Sequence, residues 1–364
     1  MSFGFGKDFR ITVFGESHGN GIGVVAEGVP AGFPINSNEI QQALDRRRPG
    51  GNLSSARKEP DRIQLLSGIT EGKANGGPIT MMVENRDVDS SWYRKNEHIP
   101  RPGHSDYAAY IKYGGFNEWL GGGFFSGRMT AAFVMGGAVA QMILRAKGVR
   151  VLAHLIQLGS VKSNAEISDS WIEENAPKSP VWCADSGESL KMVEELERVM
   201  AEKDSLGGTV ECRAIGLPAG IGEPLFDSIE SVLSHGVFSI PAVKGIEFGD
   251  GFRLCGMKGS DANDGFVLKE GKVTFLTNHA GGVLGGITDG MPLIMRVAFK
   301  PTPSIGKEQH SIDLEKMEET AISVEGRHDP CIAIRAVPVV ESVVAICLAD
   351  LMIRAQKIGR VEVK

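Results

Sequence analysis

Short β-rich stretches, punctuated by glycine, alternate with helical patterns along this chain. Residues 11–14, 22–26, 78–83, 209–215 and 292–297 read as strands, and 37–48 and 226–234 as amphipathic helices. Two longer segments, 129–147 and 339–357, are apolar nearly all round. A helix of that kind must be covered on several sides, so both belong at the centre with sheets outside them. The charged pattern at 190–202 belongs to a surface helix. The longest apolar run, 129–144, contains Gly136, Gly137 and Gln141 and falls short of the roughly 20 residues that span a bilayer. A buried helix is predicted there, with no membrane association.

The pieces recur in order. Gly28-Val29-Pro30-Ala31-Gly32 returns as Gly216-Leu217-Pro218-Ala219-Gly220, each after a β-rich segment and before an amphipathic helix. Gly68-Ile69-Thr70-Glu71-Gly72 returns as Gly286-Ile287-Thr288-Asp289-Gly290, each leading into a strand. Gly127-Arg128 and Gly326-Arg327 each precede a long apolar helix. The pattern predicts a duplicated β-α-β unit, with halves at about 9–150 and 205–358 sharing one core across a pseudo-two-fold axis, within a single domain of 1–364. The glycine-rich strand edges and both Gly-Arg turns then converge near that axis.

Composition adds restrictions. A net charge of -6 gives no sign of nucleic-acid binding, so any anion site has to be built locally from clustered cations. The 47 glycines imply many tight turns and backbone that a ligand can approach closely. The five cysteines are widely spaced and include no C-x-x-C pair, which argues against a disulfide framework or a metal site and suits a reducing cytoplasm. The N-terminal residues carry neither the basic start nor the apolar run of a signal peptide.

Several turns carry candidate chemistry. Arg46-Arg47-Arg48 closes the first amphipathic helix, whose start at Asn36 and Glu39 has capping-box spacing. Cations suit a helix C-terminus, but consecutive positions fan out around the axis, so at least one arginine should face a surface or pocket. Arg101-Pro102-Gly103-His104 leads into a short helix starting near Ser105-Asp106. The positive potential there should lower the His104 pKa, although a lone histidine more often just bonds neighbouring backbone. Gly15-Glu16-Ser17-His18-Gly19 follows a strand and lacks the G-x-S-x-G frame of a nucleophile elbow. Gly121-Gly122-Gly123-Phe124-Phe125-Ser126-Gly127-Arg128 opens a helix, which suits an anionic or planar ligand, yet it is neither a Walker A loop nor a G-x-G-x-x-G fingerprint. Lys300-Pro301-Thr302-Pro303-Ser304 holds a cation and hydroxyls on extended backbone, and Arg327-His328-Asp329-Pro330 gathers ionisable groups after a glycine. Each motif also reads as an ordinary turn; together they point to a small substrate with several negative charges.

These motifs, with Asp45 to Gly50 and Ala280-Gly281-Gly282-Val283-Leu284-Gly285-Gly286, resemble the chorismate synthase family in order and across almost the whole chain. The resemblance implies an α+β fold, a β-α-β sandwich with long central helices covered by antiparallel sheets, assembled as a homotetramer. It implies reduced FMN as cofactor and an anti 1,4-elimination of phosphate from 5-enolpyruvylshikimate 3-phosphate, with no net redox change. NADPH is the candidate reductant for the flavin, delivered by the chain itself or through a separate flavin reductase. By the same resemblance His18 acts as an acid near the departing phosphate, His104 protonates the reduced flavin and Asp329 helps deprotonate it. Arg47, Arg101, Arg128 and Arg327 hold the phosphate and carboxylates. Lys300, Thr302 and Ser304 contact FMN, with Phe125, Ser126, Gly127, Ala242, Gly285 and Arg327 beside them, and no metal is implied. The chain departs from the family after the arginine triplet, where Arg57 stands in for an expected basic contact. It departs again at Phe124-Phe125-Ser126-Gly127-Arg128, where many members have Arg-Ser-Ser-Ala-Arg, and at Pro241, where many have Asn. Two alternatives stay open: a flavin oxidoreductase with net hydride transfer, and a non-catalytic flavin- or anion-binding protein.

Overall fold

The computed structural model describes residues 3–48, 53, 59–324 and 329–362. Its helices are α1 (Ser37–Arg47), α2 (Ser91–Lys95), α3 (Asp106–Tyr113), α4 (Thr130–Ala146), α5 (Asp169–Asn175), α6 (Ser186–Ala201), α7 (Ile229–Val237), α8 (Gly259–Ala262) and α9 (Ile332–Arg354). One antiparallel sheet runs in the order Gly4–Phe5, Arg10–Gly15, Gly21–Glu27, Ile79–Glu84, Gln64–Ser67. The other runs Val243–Phe248, Leu293–Phe299, Gly208–Ile215, Arg150–Leu158, Val161–Lys162. Buried and half-buried positions alternate along Ile79–Glu84 and Leu293–Phe299, so each sheet turns one apolar face inward.

Between the sheets lie α4 and α9, packed along each other. The first helix rests on the first sheet, the second on Arg150–Leu158 and Gly208–Ile215. This is the sandwich expected from the two apolar patterns. Their close approach depends on Gly137, where an added Cβ would sit 2.3 Å from the Ser342 Cβ and 2.5 Å from its Cα. Both helices are long and apolar enough to cross a membrane by length and composition, but 78% of one apolar window and all of the other are buried inside the fold. They are core helices.

The duplication is visible in the strand order. Arg10–Gly15 pairs with Gly21–Glu27, then Ile79–Glu84, then Gln64–Ser67; Arg150–Leu158 pairs with Gly208–Ile215, then Leu293–Phe299, then Val243–Phe248. In this order Arg150–Leu158 takes the place that Arg10–Gly15 holds in the first sheet. An excursion carrying α5 and α6 separates this strand from Gly208–Ile215, which hid it from a motif comparison. The predicted surface helix is α6, capped by Asp185, with Met192, Leu196 and Val199 turned inward.

Two local expectations need correction. The second long helix starts at Ile332 and runs through Pro338, seven residues before the predicted start. Proline normally ends a helix because it lacks an N–H and crowds the preceding turn; here burial of nearly the whole helix outweighs that cost. At α1, the Asn36 side chain does cap by accepting from the Asn38 N–H, but Glu39 bonds the Asn36 side-chain amide at 3.1 Å, so the reciprocal half of a capping box is not formed.

Candidate active site

A cavity of about 800 Å³ opens where several turns meet: the end of α1, the Ser17-His18 loop, the start of α2, the turn before α3, the glycine run before α4, the first turn of α9 and the segment after Leu293–Phe299. Its volume lies in the usual range for small-molecule sites. His18, Arg47, Arg101, His104, Arg128, Phe125, Ser126, Gly127, Ala242, Lys300, Thr302, Ser304 and Asp329, scattered over the sequence, all line it.

The arginine triplet fans out as helix geometry requires. Arg48 turns to Asp45 at the surface, at 2.7 Å. Arg46 makes two bonds, 2.7 and 3.0 Å, to the buried Glu341 and lies over the Trp182 ring. Arg47 alone lines the cavity, with 2% of its surface exposed. Its Nε donates to Thr130 Oγ1 at 2.9 Å and its Nη2 to the Gly127 carbonyl at 3.0 Å. Arg128 enters from the other side, donating Nε to Asn85 Oδ1 at 3.1 Å.

Asp61 joins the two guanidinium groups. One carboxylate oxygen is 2.5 Å from Arg128 Nη1 and the other 3.6 Å from Arg47 Nη1. Arg335, on the first turn of α9, lies 2.5 Å from Asp329 Oδ2 and donates Nε to the Arg47 carbonyl at 3.2 Å. Burial, then Arg335, pushes the Arg47 guanidinium down to about 9; Asp61 pulls it back up, Arg128 lowers it further and Asp329 raises it. It stays a cation at neutral pH, packed among other cations and ready to be neutralised by an anion.

The histidines sit on opposite supports. His18 Nδ1 is 2.8 Å from the Ser90 hydroxyl, and its ring meets the edge of Tyr93 with centroids 5.3 Å apart. Gly121 makes room: its φ is +62°, and a Cβ there would fall 2.2 Å from the His18 ring. His104 Nδ1 lies 2.5 Å from Asp106 Oδ1. Burial is the main cause that lowers the His104 pKa; Asp106 opposes it, and Arg101 and Lys300 add to it. The direction agrees with the sequence expectation, but burial rather than the helix terminus leads, and the first acid of α3 acts against it.

Arg101 is largely committed inside the protein. Nε and Nη2 bond the two Asp106 oxygens at 2.7 and 2.8 Å, Nη1 donates to Ser304 Oγ at 3.3 Å, and the guanidinium lies over Tyr93. It lines the cavity with little donor capacity left for a substrate. Lys300 bonds the Gly103 carbonyl, and burial followed by the nearby Lys244 lowers its pKa. Gly285 does not line this cavity: it lies exposed between Val283–Leu284 and Ile287–Thr288, beside the N-terminus of α7, whereas the cavity takes residues just past that helix's other end. Arg57 and Arg327 lie outside the described residues.

Asp61, Tyr93, Asp106 and Arg335 are functional candidates that sequence reasoning missed. Asp106 was legible only as a helix start, and Arg335 was lost with the wrong start of α9. Asp61 follows an unremarkable Glu-Pro and gains meaning only from the arginines it meets.

The donor set fits a phosphorylated planar cofactor. Among the described residues, Thr302 Oγ1 and Arg47 Nη1 are buried in the wall without a hydrogen-bond partner. Phe124 and Phe125, 4.5 Å apart with their rings tilted by 35°, supply an apolar flank held from behind by Phe3 and Tyr113.

Comparison with known proteins agrees with this picture. The sequence model of the chorismate synthase family matches residues 9–353. The chain is 47% identical to the chorismate synthase of Korarchaeum cryptofilum, over 97% of this chain and 98% of that one. It is 46% identical to that of Dehalococcoides mccartyi, over 99% of each. A crystal structure of chorismate synthase is similar at a TM-score of 0.77 and 28% identity, over 96% of this chain and 93% of that one.

Proposed function

The chain belongs to the chorismate synthase family, and on that footing we propose that its cavity binds 5-enolpyruvylshikimate 3-phosphate beside reduced FMN and acts as a carbon–oxygen lyase, releasing phosphate and a C6 hydrogen to give chorismate. What supports this reading above all is the convergence of Arg47, Arg128, Asp329, His18 and His104 on a cavity with an aromatic flank. A non-catalytic binder would not need that set of proton-handling groups.

Lys300, Thr302 and Ser304, with Phe125 and Ser126, would hold the cofactor. When bound, the reduced cofactor would supply electron density for the elimination. Everything else falls to the chain. Arg47 and Arg128 present planar forks suited to phosphate or carboxylate, already oriented by Thr130, Asn85 and Asp61. Fixed cations of this kind stabilise charge developing on a leaving phosphate without reorganisation at the moment of reaction. His18, with Nδ1 occupied by Ser90, would exchange a proton with the phosphate through Nε2. His104 would hold a proton toward the cofactor, and Asp329, paired with Arg335, would accept one.

The test is product formation under strictly anaerobic conditions. Many chorismates per flavin are expected with photoreduced FMN, and none with oxidised FMN. Consumption of one NADPH per product would instead establish a net hydride transfer. Running the assay with and without a separate flavin reductase decides whether the chain uses NADPH itself. The homotetramer implied by the family is checked by sedimentation at micromolar concentration. The four buried free cysteines suit a reducing cytoplasm.

A further inference from the structure

The Asp106 carboxylate, on the turn that carries His104, is bonded through both oxygens. One oxygen accepts the Arg101 backbone N–H at 3.0 Å and its Nε at 2.7 Å. The other accepts Arg101 Nη2 at 2.8 Å and lies 2.5 Å from His104 Nδ1. A carboxylate clamped from two sides by a guanidinium is anionic and can only accept. The proton between Asp106 and His104 therefore resides on Nδ1, and Arg101 Nη2 lies against both ring nitrogens, 3.0 Å from Nδ1 and 3.3 Å from Nε2, where it can donate only to the unprotonated one.

We propose that Asp106 is a positioning residue for the reaction: held by Arg101, it fixes His104 as the Nδ1–H tautomer, so that Nε2 is the atom at which His104 takes up and releases a proton toward the cavity. A carboxylate that orients an imidazole and supports its charged form is a general device in acid–base catalysis. It also gives Arg101 a role unlike the substrate clamp expected from the sequence, since its fork is spent on Asp106. The proposal rests on His104 being a proton-handling group.

The charged and titratable groups around His104 set the direction of its pH response. From its own turn come Arg101 and Asp106, and from the segment after Leu293–Phe299 comes Lys300, with Lys244 behind it. Tyr93 of α2 lies under Arg101, and the glycine run contributes only backbone, with Gly122 against the ring. The cations and burial disfavour the second proton; Asp106 is the one group among these that favours it. Removing its charge must leave His104 neutral down to a lower pH.

The decisive experiment is a cycle of Asp106→Asn, His104→Ala and the double variant, with kcat and KM for the phosphate ester followed against pH. Asp106→Asn is expected to lower kcat about 10- to 100-fold, within the range of a general acid–base contribution, while KM changes less than about twofold. The pH at which turnover falls on the alkaline side should move downward. In the His104→Ala background the Asp106→Asn change should add nothing, because the two act as one unit. Additive losses, or an unmoved pH profile, overturn the role of Asp106. Near-wild-type turnover in His104→Ala removes instead the premise about His104. If Asp106→Asn does not fold, as judged by circular dichroism, Arg101→Lys loosens the same carboxylate while keeping the cation, and the same cycle applies with the same outcomes.

Discussion

Asp61→Asn tests the arginine cluster most directly. The Asp61 side chain is 1% exposed and the partner side chains of Arg128 and Arg47 are 5% and 3% exposed. Asparagine keeps the size and removes the charge, leaving two guanidinium groups buried near Arg335 without their shared counter-ion. Breaking a buried ion pair by deleting one partner costs about 3–5 kcal/mol, because the remaining charge is uncompensated. With an unfolding entropy of roughly 2.1 cal/mol/K per residue, a chain of 364 residues gains ~0.76 kcal/mol/K on unfolding. The variant should therefore melt about 4–7 °C below the parent, measured by calorimetry at equal protein concentration. Its cavity is also one charge more positive. Inorganic phosphate, bound to the folded state only, should raise the variant's melting temperature more than the parent's. An unchanged melting temperature would refute the burial argument; a lowered one that ignores phosphate would show that the cluster does not face an anion site.

Two further outcomes follow from single positions. Gly121→Ala combines a positive φ with a Cβ placed 2.2 Å from the His18 ring, so turnover should drop at least tenfold, as for a displaced acid–base group, while circular dichroism stays native; full activity would mean that the ring position does not matter. Glu211, in the second sheet, is pulled upward by burial, but His154, 3.6 Å away, and the charges and bonds of Arg213 and Arg296 outweigh this and hold it at about 2 instead of 4.5. Its stabilisation is complete above 4.5 and is lost as pH falls toward 2, so Glu211→Gln should flatten the acid limb of a denaturation curve in that window, and an identical limb would contradict the pairing.

Hydrophobic patterning alone determined the architecture. Segments apolar all round can be stable only at the centre, so 129–147 and 339–357 had to become core helices, and the recurrent glycine motifs disclosed a repeat that the strand order then bears out. Which arginine of the triplet faces inward was decided by tertiary packing. Consecutive helical residues differ by about 100° in direction, and only the positions of Thr130 and Glu341 around α1 make Arg47 the one that faces the cavity. The start of α9 was misread because local rules set the cost of Pro338 against propensity, whereas the folded chain sets it against the burial of a whole helix. Arg101 looked like a free cation because the sequence does not show that the side chain of Asp106 turns back onto it. Local chemistry is legible along the chain; pairing across the cavity depends on distances that exist only once the two halves have closed on their shared core.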